Sequence, residues 1–112
     1  MTGSRIYLQP KTSVVNTILD IAELQKGRTT FTDTPNGKVC FAVSMYGYSF
    51  EYSFTVTDIG GNRSHVHIEA GGDTKNKRRH ITREFALLDS MLVSEAEIEF
   101  TEKAKGEVYY EN

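Results

Sequence analysis

Residues 48–70 read YSFEYSFTVTDIGGNRSHVHIEA and carry the most regular pattern in the chain. Aromatic or aliphatic side chains occupy every second position from Tyr48 to Val56, with Ser, Glu and Thr between them. A period of two is typical of a β-strand with one buried face. The Gly-Gly-Asn segment at residues 60–62 predicts a tight turn, because glycine and asparagine adopt positive φ at low cost. The alternation resumes at Val66, so the two runs predict an antiparallel hairpin.

The rest of the chain predicts an α+β fold around this hairpin. Strands are indicated at residues 5–9, 29–32 and 39–45, where β-branched, aromatic or alternating apolar residues occur. Apolar residues at helical spacing predict a helix over residues 14–24, capped by Thr12 or Ser13. The predicted fold is an antiparallel meander of about five strands with an N-terminal helix and a long C-terminal helix packed on one face, in the order β-α-β-β-β-β-α.

The C-terminal third of the chain is interpreted first as one long helix. Apolar residues recur at four- and three-residue steps from residue 81 to residue 104. This spacing predicts a continuous helix to about Lys105. The acidic segment 95–112 is then either the end of that helix or an acidic tail.

A hairpin is the alternative interpretation of the same segment. Ile98 and Phe100 alternate with glutamates, as in a strand. Residues 103–106 then form a turn, and residues 107–110 form a second strand. The continuous helix is favoured over this hairpin.

Length and composition indicate one domain over residues 1–112. Hydrophobic residues make up 38% of the chain and charged residues 25%, which is typical of a globular protein. A formal net charge of −2 gives no overall attraction to nucleic acid or anionic membranes. The single cysteine, Cys40, excludes an internal disulfide framework. No apolar run has the length of a membrane span and no signal-peptide pattern is present, so we expect a cytoplasmic protein.

With these elements in view, the chain resembles a shortened member of the START-like, polyketide-cyclase type superfamily, which has the helix-grip fold. Residues 6–20, IYLQPKTSVVNTILD, resemble the opening strand and helix of that superfamily. Residues 54–68, FTVTDIGGNRSHVHI, resemble its late hairpin, and the basic segment 75–92 resembles its gripping helix. The resemblance implies that a small hydrophobic or amphipathic ligand binds between the sheet and the C-terminal helix.

The first candidate site is a pocket between the sheet and the C-terminal helix, because a curved sheet gripped by a helix leaves an apolar space. The alternative is an ordinary packed core, which the small size of the domain favours, since a void costs about 24 cal/mol per Å3. The hydroxyls of Tyr48 and Tyr52 favour the pocket, because buried tyrosines need hydrogen-bond partners. The predicted lining residues are apolar or aromatic: Phe41, Phe50, Tyr52, Phe54, Phe85, Leu88 and Leu92.

The second candidate is the set His65, His67 and Glu69, which share one face of the predicted strand, opposite Val66 and Ile68. Two imidazoles and a carboxylate are the ligand set of many zinc and iron sites. Polar residues are nevertheless usual on the solvent face of a strand, and they do not by themselves indicate a metal site. No metal site is therefore predicted, and the three residues are kept only as metal candidates.

The third candidate is the segment KNKRRHITR at residues 75–83, which holds five cations and no acid. Cations at a helix N-terminus oppose the helix dipole, and such a local exception indicates function, here anion binding. The alternative, which is favoured over an anion site, is a solvated loop before a helix that starts near His80 or Ile81. Nucleic acid is not expected as a partner, because the patch is short and segment 95–112 holds six glutamates against two lysines. The candidate anion-binding residues are Lys75, Lys77, Arg78 and Arg79.

Three functions are compatible with these features, and a non-catalytic binding module for a small hydrophobic or amphipathic ligand is favoured. The second is a self-associating protein, as a homodimer, because a reduced sheet leaves an edge that needs cover. The third is a metal-dependent enzyme that uses His65, His67 and Glu69. The sequence contains no nucleophile elbow, phosphate loop or Cys-x-x-Cys pair, so no catalytic residue and no cofactor are predicted.

Overall fold

A computed structural model describes residues 1–71, 76–102 and 107–111 of the chain. These residues form seven strands, two α-helices and a short 3-10 turn at Thr34–Asn36. No helix among them is long and apolar enough to cross a membrane. The strands and α-helices follow in the order β1 (Thr2–Tyr7), α1 (Lys11–Leu24), β2 (Arg28–Asp33), β3 (Lys38–Met45), β4 (Tyr48–Gly60), β5 (Arg63–Gly71), α2 (Lys77–Asp89), β6 (Ile98–Glu102) and β7 (Glu107–Glu111).

All seven strands belong to one antiparallel sheet with the order β2-β3-β4-β5-β1-β6-β7. Both helices pack on one face of this sheet, which we call the inner face: α1 contacts β3 and β4, and α2 contacts β1 and β5. The predicted α+β class and the helix-grip-like arrangement are therefore confirmed. β1 lies inside the sheet, between β5 and β6.

The central hairpin is formed by β4 and β5, as the alternating pattern predicts. Phe54 pairs with Ile68, and Val56 pairs with Val66. All four side chains are buried on the inner face. The turn between the strands contains Asn62 at φ 56°, which an asparagine adopts more easily than other L-residues.

α1 begins at Lys11, and its N-cap lies two residues before the predicted cap Thr12 and three before the predicted cap Ser13. Pro10 occupies the N-cap position in an extended conformation, so the predicted cap residues lie inside the first turn. The predicted apolar residues of this helix are buried at Val14, Val15, Ile18, Ile21 and Ala22, whereas Leu24 at its end is 64% exposed.

The prediction of one continuous helix to about Lys105 is wrong. α2 ends at Asp89, and β6 and β7 form an antiparallel hairpin whose first strand pairs with β1. Ile98 and Phe100 are both buried on the inner face. The backbone of β6 pairs with the edge of β1 that faces away from β5. A continuous helix would leave this edge without hydrogen bonds. The predicted turn at residues 103–106 lies outside the described residues.

α2 packs directly on β1, where Gly3 allows a close approach. A Cβ atom on Gly3 would lie 2.6 Å from Cγ2 of Ile81. At the other end of α2, the Tyr7 hydroxyl donates a 2.7 Å hydrogen bond to Asp89, and Arg5 forms a 2.9 Å ion pair with the same carboxylate. These contacts fix the helix along β1 and set the position of the residues that it presents to the sheet.

Candidate functional site

The predicted pocket residues form part of the packed interior. Five of the seven are fully buried and two, Phe50 and Leu92, are partly buried. The Phe41 ring stacks on Phe54 with 5.3 Å between centroids and lies 5.7 Å from the Tyr52 ring. These rings fill the space between the sheet and the helices, so binding of a ligand among all seven stays a prediction.

A polar group interrupts this interior on α2. Glu84 lies on the buried side of the helix between Ile81 and Leu88, and its side chain has no exposed surface. Its Oε1 accepts a 2.8 Å hydrogen bond from Nε2 of Gln25 at the end of α1, so the pair joins the two helices. Among the described residues, neither Oε2 of Glu84 nor Oε1 of Gln25 has a hydrogen-bond partner. Burial raises the pKa of Glu84 to about 7, against the lowering effects of Gln25 and Arg83.

Tyr52 and His80 extend this group toward the surface. The Tyr52 hydroxyl lies 3.1 Å from Nδ1 of His80. Burial and the charge of Glu84 raise the pKa of Tyr52 to about 12, so its hydroxyl stays protonated at neutral pH. Burial, followed by Arg83 and Arg79, lowers the pKa of His80 and favours the neutral imidazole. We call Gln25, Tyr52, His80 and Glu84 the polar cluster.

Exposed aromatic residues border the polar cluster at the β3–β4 hairpin. The His80 ring stacks on Phe50 with 4.5 Å between centroids. Tyr48 and Tyr46 follow toward the end of the hairpin and are 70% and 95% exposed. Nη1 of Arg83 reaches Sδ of Met45 at 2.8 Å, which ties the hairpin to α2. We call Tyr46, Tyr48, Phe50 and His80 the aromatic rim.

Tyr46 has an unusual backbone conformation for an aromatic residue. It lies at φ 53°, and Gly47 follows at φ 79°, so both central residues of the hairpin turn have positive φ. This turn type favours Asn-Gly, and a bulky residue at positive φ costs roughly 1–2 kcal/mol. Tyr46 therefore has a conformational cost, and its largely exposed side chain makes few contacts that could offset this cost.

The candidate metal residues lie on the opposite, outer face of the sheet. His65, His67 and Glu69 pair with Ile6, Ser4 and Thr2 of β1 and point away from the helices. In the part of the chain that the structure describes, no three His, Cys, Asp or Glu side chains are grouped as metal ligands would be. This face does not contribute to the polar cluster.

The candidate anion-binding residues lie in the first turn of α2, except Lys75, which lies outside the described residues. The helix begins at Lys77, so the alternative of a helix starting near His80 is wrong. The Arg78 guanidinium lies 4.9 Å from the centroid of the Phe100 ring. Arg78 and Arg79, with Asn76 and Thr82, line a surface groove of about 450 Å3.

Three residues of the polar cluster were not predicted as site residues from the sequence: Gln25, His80 and Glu84. A signal was present for Glu84, because a carboxylate stands beside Phe85 in the apolar stripe from Ile81 to Leu88. No such signal marked Gln25, whose role depends on how α1 and α2 meet.

No protein-family model matches the chain, and no curated protein matches it significantly. The resemblance to the START-like superfamily therefore stays a prediction from the sequence, and the function has to be argued from the site itself.

Proposed function

We propose that the protein is a non-catalytic binding module for a small amphipathic ligand, which is held where the β3–β4 hairpin passes α2. One observation carries this proposal: Glu84 is fully buried with one oxygen lacking a partner among the described residues, and it lies one helical turn after His80, whose ring stacks on Phe50 of the aromatic rim. A buried polar atom without a partner costs about 1–3 kcal/mol. A ligand that donates a hydrogen bond at this place would remove that cost.

The chemistry of the site supports binding more than catalysis. The aromatic rim offers ring surface for an apolar part of a ligand. The polar cluster next to it contains the Tyr52–His80 hydrogen bond and a buried acceptor, Oε2 of Glu84, that has no partner among the described residues. Aromatic side chains combined with a small number of polar groups are typical of ligand recognition.

Native mass spectrometry of the protein as purified tests the proposal. We expect a mass excess of a few hundred daltons, on the order expected of a small ligand, that disappears on denaturation. Tyr48→Ala should lower the occupied fraction, because it removes an exposed ring of the rim. Phe31→Ala is the matched control, since Phe31 is also an exposed aromatic residue but lies on β2, facing the outer face. Equal occupancy in both variants would contradict the placement of the ligand, and a parent protein that binds nothing from a ligand library would contradict the function.

A second candidate function, self-association as a homodimer, is favoured by the edge strand β2. In the described residues β2 pairs only with β3, and Phe31 on this edge is 51% exposed. An exposed edge can pair with the same edge of a second copy. Sedimentation velocity at high micromolar concentration tests this idea, with Phe31→Lys as the variant expected to dissociate the dimer. A parent protein that sediments as a monomer would refute it.

Metal-dependent catalysis by His65, His67 and Glu69 has no comparable support. The three residues lie on the outer face of the sheet, away from the polar cluster. We therefore do not propose it as the function.

A further inference from the structure

We propose that the ligand of this site is an aromatic anion, a planar ring system that carries a carboxylate, sulfonate or phosphate group. This inference rests on the proposed binding function and specifies the ligand class. It is drawn from the arginines that flank the aromatic rim.

The aromatic rim provides a surface for a planar ring. Tyr48 and Phe50 alternate with outer-face residues on β4 and lie opposite Met45 and Val43 of β3, on the inner face. Tyr48 is largely exposed because it lies toward the hairpin end. Offset stacking of a ligand ring on such side chains contributes to binding beyond the area that it buries.

Two arginines of α2 provide the positive charge beside this surface. Arg79 and Arg83 are four residues apart, so they lie on the same side of the helix. Both are close enough to His80 to lower its pKa, and His80 stacks on Phe50. Arg83 also reaches Met45 on the hairpin. Arg83 therefore lies at the hairpin next to Met45, the cross-strand neighbour of Tyr48, and Arg79 lies one turn before it on α2.

The acid that directly follows Arg83 in sequence, Glu84, is buried and is not exposed beside the arginines. Residues 76–83 contain no Asp or Glu, and the carboxylate that follows, Glu84, is turned into the interior against Gln25. An anionic group on a ligand can thus be met by Arg79 or Arg83, whose guanidinium matches a planar or tetrahedral oxyanion. The groove lined by Arg78, Arg79 and Thr82 continues the basic surface along the helix.

Two fluorescent probes with the same ring system test the aromatic part and the anionic part of the proposed ligand separately. 1-Anilinonaphthalene-8-sulfonate carries a sulfonate, and N-phenyl-1-naphthylamine does not. In fluorescence titrations of the full chain, we expect the Arg79→Gln/Arg83→Gln variant to bind the sulfonate probe about tenfold more weakly, the effect of losing one charge-assisted contact. Binding of the uncharged probe should change by less than about twofold.

The matched control is the Lys38→Gln/Arg63→Gln variant, which makes the same change in net charge at positions on β3 and β5. It should leave both probes unaffected. Both double variants should keep the urea midpoint of the parent protein, because Arg79, Arg83 and Lys38 are exposed and the Arg63 ion pair is a surface contact.

The outcomes distinguish this inference from the function on which it rests. If both probes bind the parent protein and the Arg79→Gln/Arg83→Gln variant weakens neither or both equally, the anionic class is wrong and the binding function stands. If the control variant weakens the sulfonate probe as much as the arginine variant does, binding depends on net charge and the site is wrong. If neither probe binds the parent protein, both the ligand class and the site are refuted.

Discussion

Glu84 should make the stability of the protein fall as the pH rises from about 4.5 to about 7. Burial raises the pKa of this carboxyl to about 7, from a value of 4.5 for an unperturbed glutamate. The folded protein therefore binds more protons than the unfolded chain between these two values. Stability is fully present below pH 4.5 and is lost progressively up to about pH 7, where the folded carboxyl ionises.

The size of the effect follows from the difference between the two pKa values. One pKa unit corresponds to about 1.4 kcal/mol, so the full change is on the order of 3 kcal/mol. This is a large part of the free energy of unfolding of a small domain, which is about 5–15 kcal/mol. His80 acts in the opposite direction, because its lowered pKa favours a folded state with neutral imidazole and adds stability as the pH rises.

Glu84→Gln isolates the contribution of the carboxyl. The amide has nearly the same shape but does not ionise, so the variant should be more stable than the parent protein at pH 8 by about 3 kcal/mol. At pH 5 most of this difference should have disappeared, with about 1 kcal/mol remaining because pH 5 lies above the unfolded pKa of 4.5. Urea denaturation at intervals from pH 5 to pH 8.5 gives the difference in unfolding free energy at each pH, and this subtraction cancels groups that both proteins share.

Glu23→Gln controls for the removal of one negative charge, because Glu23 is exposed on α1. A difference profile for Glu84→Gln that is flat within about 0.5 kcal/mol would refute the reasoning, since a carboxyl in a dry interior must respond to pH. A variant that is less stable than the parent protein at every pH would also refute it.

Three further substitutions test the packing and the hairpin turn. Gly3→Ala should lower the unfolding free energy by about 1–3 kcal/mol in urea denaturation, because the new Cβ would lie 2.6 Å from Ile81; an unchanged midpoint would mean that α2 is farther from β1. Phe54→Ala should cost about 3–5 kcal/mol in the same measurement, since Phe54 is fully buried, and a loss below about 1 kcal/mol would contradict its place in the core. Tyr46→Asn should raise the thermal midpoint and stabilise the protein by about 1 kcal/mol, because asparagine tolerates φ 53°; a destabilised variant would show that the tyrosine ring makes compensating contacts.

The strands of the central hairpin could be predicted because their pattern has one interpretation. Alternation over β4 fits no helical period, and the glycine-rich turn before Arg63 fixes where the chain reverses. The buried face of α1 could be predicted for the same reason, since the spacing of Val14, Ile18 and Ile21 fits a helix and does not fit a strand.

The C-terminal hairpin could not be predicted with the same certainty, because its apolar residues fit two periods. Ala96 and Phe100 are four apart, which matches a helical face, and Ile98 between them completes a strand pattern. The free edge of β1 decides between them, and it exists only in the assembled sheet. The grouping of residues in the aromatic rim could not be predicted from the sequence either, because it depends on where α2 lies against the end of the hairpin.

The position of β1 has a consequence for how the protein is made. Thr2 pairs with both Glu69 and Thr101, so β1 finds its partners only after β5 and β6 have been synthesised. At about 5–20 residues per second, roughly 60 residues of further synthesis keep β1 waiting for about 3–12 seconds. The helix α1 and strands β2–β4 can form in that interval, and β5 completes the β2–β5 meander at its end. Within the described sheet, β1 is the strand that connects this meander to the β6–β7 hairpin, so its late insertion is the step that unites the two parts.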